Sequence, residues 1–140
     1  MRKIIILCLI GVFCISGLAF AGQGRIEKTV FDEDSLASFT TATSTIYDVK
    51  GSSEFGVWLK VEANGGTPDI NISYQMSPDK TIANFTTPTT VTALFSDLDV
   101  EGNSVMSFNP PPMRYLRFVA SGKPESSTAT TVSMKLFTRE

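Results

Sequence analysis

Between Phe55 and Met76 the chain alternates apolar and polar residues with a period of two. Phe55, Val57, Leu59 and Val61 take one phase, and Gly56, Trp58, Lys60 and Glu62 the other. Ile70, Ile72, Tyr74 and Met76 then alternate with Asn71, Ser73 and Gln75. Successive side chains of an extended backbone point to opposite faces, so this pattern makes half-buried strands. A helix would need its apolar residues three to four positions apart. Asn64-Gly65-Gly66-Thr67-Pro68 separates the runs with residues that tolerate positive φ, so the two runs are expected to close as a hairpin. Ser77-Pro78-Asp79-Lys80 reads as the next turn.

Weaker alternating segments fill the rest. Strands are expected over 25–31 and 43–50 before the central runs, and over 89–95, 103–108, 114–120 and 128–138 after them. One turn of helix over 34–39, capped by Asp34 or Ser35, is the only helical expectation. About eight short strands punctuated by turns fit an all-β fold, two packed antiparallel sheets in one domain.

The first 21 residues stand outside that pattern. Met1-Arg2-Lys3 is basic, Ile4 to Phe20 is an apolar run, and Ala19-Phe20-Ala21 has the small-x-small form of a signal-peptidase site. Residues 1–21 are expected to be a signal peptide and 22–140 the mature domain, secreted to a periplasmic or extracellular address with no membrane span after cleavage. Leu7 and Phe13 precede Cys8 and Cys14, so neither cysteine sits in a lipobox. The mature chain would carry ten basic and fourteen acidic side chains, a formal net charge of −4, and neither Cys nor His. That excludes a disulfide framework and His-dependent triads, and removes the usual ligands of zinc, copper, haem and iron–sulfur centres. A mildly acidic chain without a basic cluster is not a nucleic-acid binder. Asn71-Ile72-Ser73 and Asn84-Phe85-Thr86 have the form of glycosylation sequons, which would matter only in a eukaryotic host.

Four segments of the second half share a pattern: Ile72-Ser73-Tyr74-Gln75-Met76-Ser77-Pro78-Asp79 with Phe85 downstream, Glu101-Gly102-Asn103, Phe108-Asn109-Pro110-Pro111 and Arg114-Tyr115-Leu116-Arg117-Phe118. In that order, between Ile70 and Phe137, they resemble discoidin-type domains. The terminal cysteine pair usual in that family is missing here, and the first half carries none of its motifs. The resemblance implies a jelly-roll sandwich that binds glycans, lipid head groups or proteins through loops at one end.

Four groups of residues could carry chemistry. Asp97, Asp99 and Glu101 alternate ahead of Gly102 and offer hard oxygen donors on a turning segment, as a calcium site would. The same residues also suit a solvated strand end. Trp58, the one tryptophan, lies on the polar phase of its run, where it could stack on a sugar ring or be covered by a neighbouring segment. Arg114 and Arg117 could grip an anion, or pair with carboxylates inside the domain. Ser77 and Lys80 have the Ser-x-x-Lys spacing of serine acylases, but on a turn instead of a helix start. Pro110-Pro111-Pro112 could offer a short polyproline ligand or stiffen the approach to the following strand.

The chain is therefore expected to be a non-enzymatic binding module for a glycan or other surface polymer, or for a protein partner. The competing expectation is a structural or assembly subunit of an extracellular or envelope complex, working through sheet edges and faces.

Overall fold

A computed structural model describes residues 24–37, 39–65, 67–89, 93–98, 101–123 and 129–139, with the backbone alone at 97 and 98. The signal-peptide expectation over 1–21 lies outside the described residues.

Among the described residues nine strands form: β1 (Arg25–Leu36), β2 (Thr41–Thr43), β3 (Tyr47–Asp48), β4 (Glu54–Ala63), β5 (Ile70–Ser77), β6 (Phe95–Leu98), β7 (Gly102–Phe108), β8 (Tyr115–Gly122) and β9 (Thr130–Arg139). A 3₁₀ turn, Ile82–Asn84, lies in the β5–β6 connection. One sheet has the order β1-β9-β4-β7. The other has the order β2-β8-β5-β6, with β3 also on β8. All pairings between named strands are antiparallel. Apart from the β2–β3 and β5–β6 steps, every connection crosses from one sheet to the other, which is the winding of a jelly roll.

β2 and β3 occupy one position broken by a short gap. Within it the Ser44 N–H donates to the Phe118 carbonyl, and the Ser44 Oγ accepts the Phe118 N–H, both at 2.9 Å. A side-chain oxygen thus replaces a ladder carbonyl, and eight strand positions result.

The two apolar phases of the sequence become the facing layers of the core. Val57, Leu59 and Val61 join Val132, Met134 and Leu136 on one layer, and Ile70, Ile72, Tyr74 and Met76 join Leu116 and Phe118 on the other. All are buried. Phe108 ties the layers at one end, with ring centroids 5.6 Å from Phe55, 5.2 Å from Tyr74 and 6.1 Å from Phe118.

Two local expectations are corrected. β4 and β5 do not form a hairpin; they lie in opposite sheets. The segment between them is held at its two ends to different layers. The Asn64 N–H donates to the Ala129 carbonyl beside β9, and the Asp69 carbonyl accepts the Lys123 N–H beside β8. Two four-residue apolar rows bury each other more completely across a sandwich than side by side on one face. The helical turn over 34–39 is also absent, because Asp34, Ser35 and Leu36 pair with Val132, Thr131 and Thr130. The turn comes later, where the Thr40 N–H and Oγ1 both donate to the Ala37 carbonyl. Elsewhere strands start or stop away from the expected bounds, most of all β6, expected over 89–95 and found at Phe95–Leu98.

Candidate functional site

The outer face of the β1-β9-β4-β7 sheet carries the polar phase of β4. Cross-strand register sets its neighbours. Gly56 lies between Phe137 of β9 and Ser107 of β7, and Trp58 lies between Lys135 and Val105. Gly56 therefore leaves a gap in a row of side chains. A cavity of about 730 Å³ opens there, at the end of the sheet where β4 begins and β7 and β9 finish. Gly56 has an ordinary strand backbone, and a Cβ at this position would meet only the Met106 carbonyl, at 3.7 Å. The backbone does not require glycine; the missing side chain provides room.

The lining is aromatic, hydroxylic and charged. Phe55, Phe108 and Phe137 contribute rings, Ser53, Ser107 and Asn109 polar groups, and Arg25, Glu54 and Arg139 charges. The Arg25 guanidinium lies 4.1 Å from the Phe137 ring centroid and covers one of its faces. Arg139 Nη1 lies 3.5 Å from Glu54 Oε2. A second depression of about 670 Å³ shares Ser53, Phe55 and Asn109 with the first. It continues between the β3–β4 and β7–β8 loops, with Pro110, Pro111 and Pro112 on one wall. The two depressions adjoin at a loop end of the sandwich through those three shared residues, and the one beside Gly56 is the groove referred to below.

Trp58 is half-buried and does not line this groove. It stands two residues along β4 from Gly56 on the same face, at a strand repeat of roughly 6.7 Å. Its cross-strand neighbour Lys135 sends its ammonium to Glu27, 2.7 Å away. That hydrogen bond, with the nearby Lys135 charge, holds the Glu27 carboxyl below its ordinary range.

The remaining candidates lie apart from one another. Glu101 Oε1 accepts the Ala63 N–H at 2.7 Å, at the opposite end of the sandwich from the groove. Asp99 and the side chain of Asp97 lie outside the described residues, so the three are not seen together. Arg114 makes a two-pronged pair with Asp48, its Nη2 2.8 Å from Oδ2. Arg114, followed by the Lys50 N–H, draws the Asp48 pKa below the usual aspartate value. Arg117 Nε donates to Gln75 Oε1 at 2.8 Å, and its guanidinium lies 4.5 Å from the Phe85 ring centroid. Both arginines have partners within the domain. The Ser77 hydroxyl oxygen is buried and accepts the Asp79 N–H at 3.3 Å, while the Lys80 ammonium sits over the Tyr115 ring. Asp79 in turn accepts from the Thr81 N–H and the Asn84 amide, which lower its pKa. This is a self-capped turn.

Sequence reasoning passed over Gly56, Phe137 and Arg25. One signal could have found them: a glycine inside the most regular strand of the chain marks a missing side chain or a close approach.

No protein-family model matches the chain, and no curated protein matches it in sequence. Among solved structures, one of infectious bursal disease virus, Gx strain, matches 86% of this chain and 32% of its own at 15% identity, with a TM-score of 0.52. The chain thus spans about a third of that viral chain, and the match shows a shared fold. FlhE matches over 85% of this chain and 97% of its own, at 17% identity and a TM-score of 0.41. A xylan-binding module, CBM86 of Roseburia intestinalis, matches over 86% and 97%, at 14% identity and a TM-score of 0.32. The last two superpose too loosely to add to the fold.

Proposed function

We propose that the protein is a secreted, non-catalytic binding module that takes a glycan or other polar surface polymer into the groove beside Gly56. The observation that carries this reading is the room left by Gly56 between Phe137 and Ser107, on a floor stiffened by the Phe55–Phe108–Tyr74 ring cluster. Sugar rings present C–H faces and hydroxyl edges together, and the lining offers rings, hydroxyls, an amide and paired charges within one depression. Trp58 extends the apolar surface along β4. The discoidin-type likeness of the second half points the same way, to recognition at a loop end. A calcium ion held by Asp97, Asp99 and Glu101 would sit at the far end and act on stability instead of on the ligand.

The test is affinity electrophoresis in gels containing neutral polysaccharides (xylan, mixed-linkage glucan) or an anionic one (polygalacturonate). The wild-type protein should be retarded by at least one polymer. Gly56→Leu, which fills the groove without straining the backbone, should run unretarded with its melting temperature within a few degrees of wild type. Equal retardation of both proteins, or none in any polymer, overturns the reading.

A further inference from the structure

Sheet edges expose unpaired N–H and C=O groups, and proteins blunt them with charge, bulges or brevity. Three of the four edges here are blunted. β1 carries Arg25, Glu27, Lys28, Asp32, Glu33 and Asp34, has two register shifts, and holds Glu33 at a φ of 56°. β2 and β3 are three and two residues long, and β6 is four. β7 differs from all of them. It is seven residues long, keeps an unbroken register with β4, and contains neither charge nor proline. Among the described residues its only strand partner is β4. Val105, at its centre, is 79% exposed beside Trp58.

We propose that β7 pairs with β7 of a second copy of this chain, antiparallel about a two-fold axis at Val105. The occupant follows from the sequence of the edge, which is complementary to itself. With Val105 opposite Val105, the same register sets Asn103 against Ser107, Ser104 against Met106, and Gly102 against Phe108 across the axis. The flanking Glu101 falls opposite Asn109. No like charges meet, polar residues face polar ones on the outer side, and an aromatic ring lies across from a glycine. The pairing joins Trp58 and Val105 of both copies into one apolar row on a continuous eight-stranded sheet. The contact is one strand edge of seven residues, roughly 24 Å of ladder, without the broad packed surface of about 2,000 Å² or more that permanent interfaces bury. The dimer is therefore weak and concentration-dependent. Ser107 and Phe108 belong both to this edge and to the groove lining, but the pairing needs no ligand.

Sedimentation velocity up to about 1 mM protein tests it, the range where a weak pair fills. Wild type should shift toward twice the monomer mass. Val105→Lys places two ammonium groups face to face and should lower the association constant at least about tenfold. Its melting temperature at low concentration should stay unchanged, because the position is exposed. Val105→Glu alone should behave likewise, and an equimolar mixture of the two variants should recover the dimer. A wild type that stays monomeric, a Val105→Lys protein that associates as strongly as wild type, or a mixture that does not recover each overturns the proposal. So does a dimer in which β7 amides exchange hydrogen as fast as in the monomer.

Discussion

The Tyr47 hydroxyl donates to the Thr29 carbonyl oxygen at 2.8 Å, joining β3 of one sheet to β1 of the other. The bond falls where β1 changes register against β9, between Thr29 and Phe31. The extra residue, Val30, is buried beside Phe31, so the bulge turns two adjacent side chains inward. Tyr47 also packs its ring against Phe118, with centroids 6.3 Å apart. Tyr47→Phe keeps the ring and removes the donor. It should cost about 1 kcal/mol, the usual net worth of such a bond. Urea denaturation should show a lower midpoint with an unchanged slope.

Thr130 presents the opposite case. It is 1% exposed, between Leu36 and Ala63 in the ladder, and its hydroxyl has no hydrogen-bond partner among the described residues. A buried hydroxyl without a partner is destabilising. Thr130→Val retains the β-branched shape and should be neutral or stabilising by up to about 1 kcal/mol. Calorimetry decides it; a clear loss of stability would mean that the hydroxyl is satisfied after all.

The phase of β4 can be tested by two neighbouring substitutions. Leu59 is fully buried, and Leu59→Ala should cost about 2–5 kcal/mol. Lys60 points outward to Glu62, 2.7 Å away, in a pair with both side chains about half exposed. Lys60→Ala should cost less than about 1 kcal/mol. Guanidinium melts of both variants would separate these values well beyond error.

Acid should destabilise the fold through the surface carboxylates. Arg114 lowers the Asp48 pKa, Lys135 that of Glu27, and the Thr81 N–H that of Asp79. A carboxyl depressed in the folded state stabilises it above the ordinary value, 3.8 for aspartate. That contribution disappears as pH falls through the lower, folded value. Melting temperature should therefore drop below about pH 4. Asp48→Asn should lower it at pH 6, and the difference from wild type should shrink as pH falls through the depressed folded value. All three groups are exposed, so added salt should shrink the difference.

Strand phases were legible because a period of two fixes which side chains face inward. Phe55, Val57, Leu59 and Val61 are all buried, as are Ile70, Ile72, Tyr74 and Met76. Pairing was not legible, since periodicity names a face and not a neighbour. Hence β4 and β5, adjacent in sequence, lie in opposite sheets. The bulge at Val30 breaks alternation, and it is visible only in the register of β1 against β9. The groove was hidden because it comes from a side chain that Gly56 lacks, between residues some fifty and eighty positions away in the chain. Glu101 read as one of three acidic donors, whereas its contact with Ala63 depends on how β7 starts beside the end of β4.

The place of β9 in its sheet has a consequence for the life of the chain before it folds. β9 is the only strand that pairs with β1 among the described residues, and it also forms one flank of β4. β8 holds the same place between β2, β3 and β5. One inner strand of each sheet, β9 or β8, therefore follows its pairing partners in the chain. Until β9 has been made, β1 has no strand to pair with among the described residues, and until β8 has been made, neither have β2 and β3. During synthesis such a chain therefore carries strands that already have an apolar face but as yet no neighbour, and each layer waits on a strand far downstream to join them.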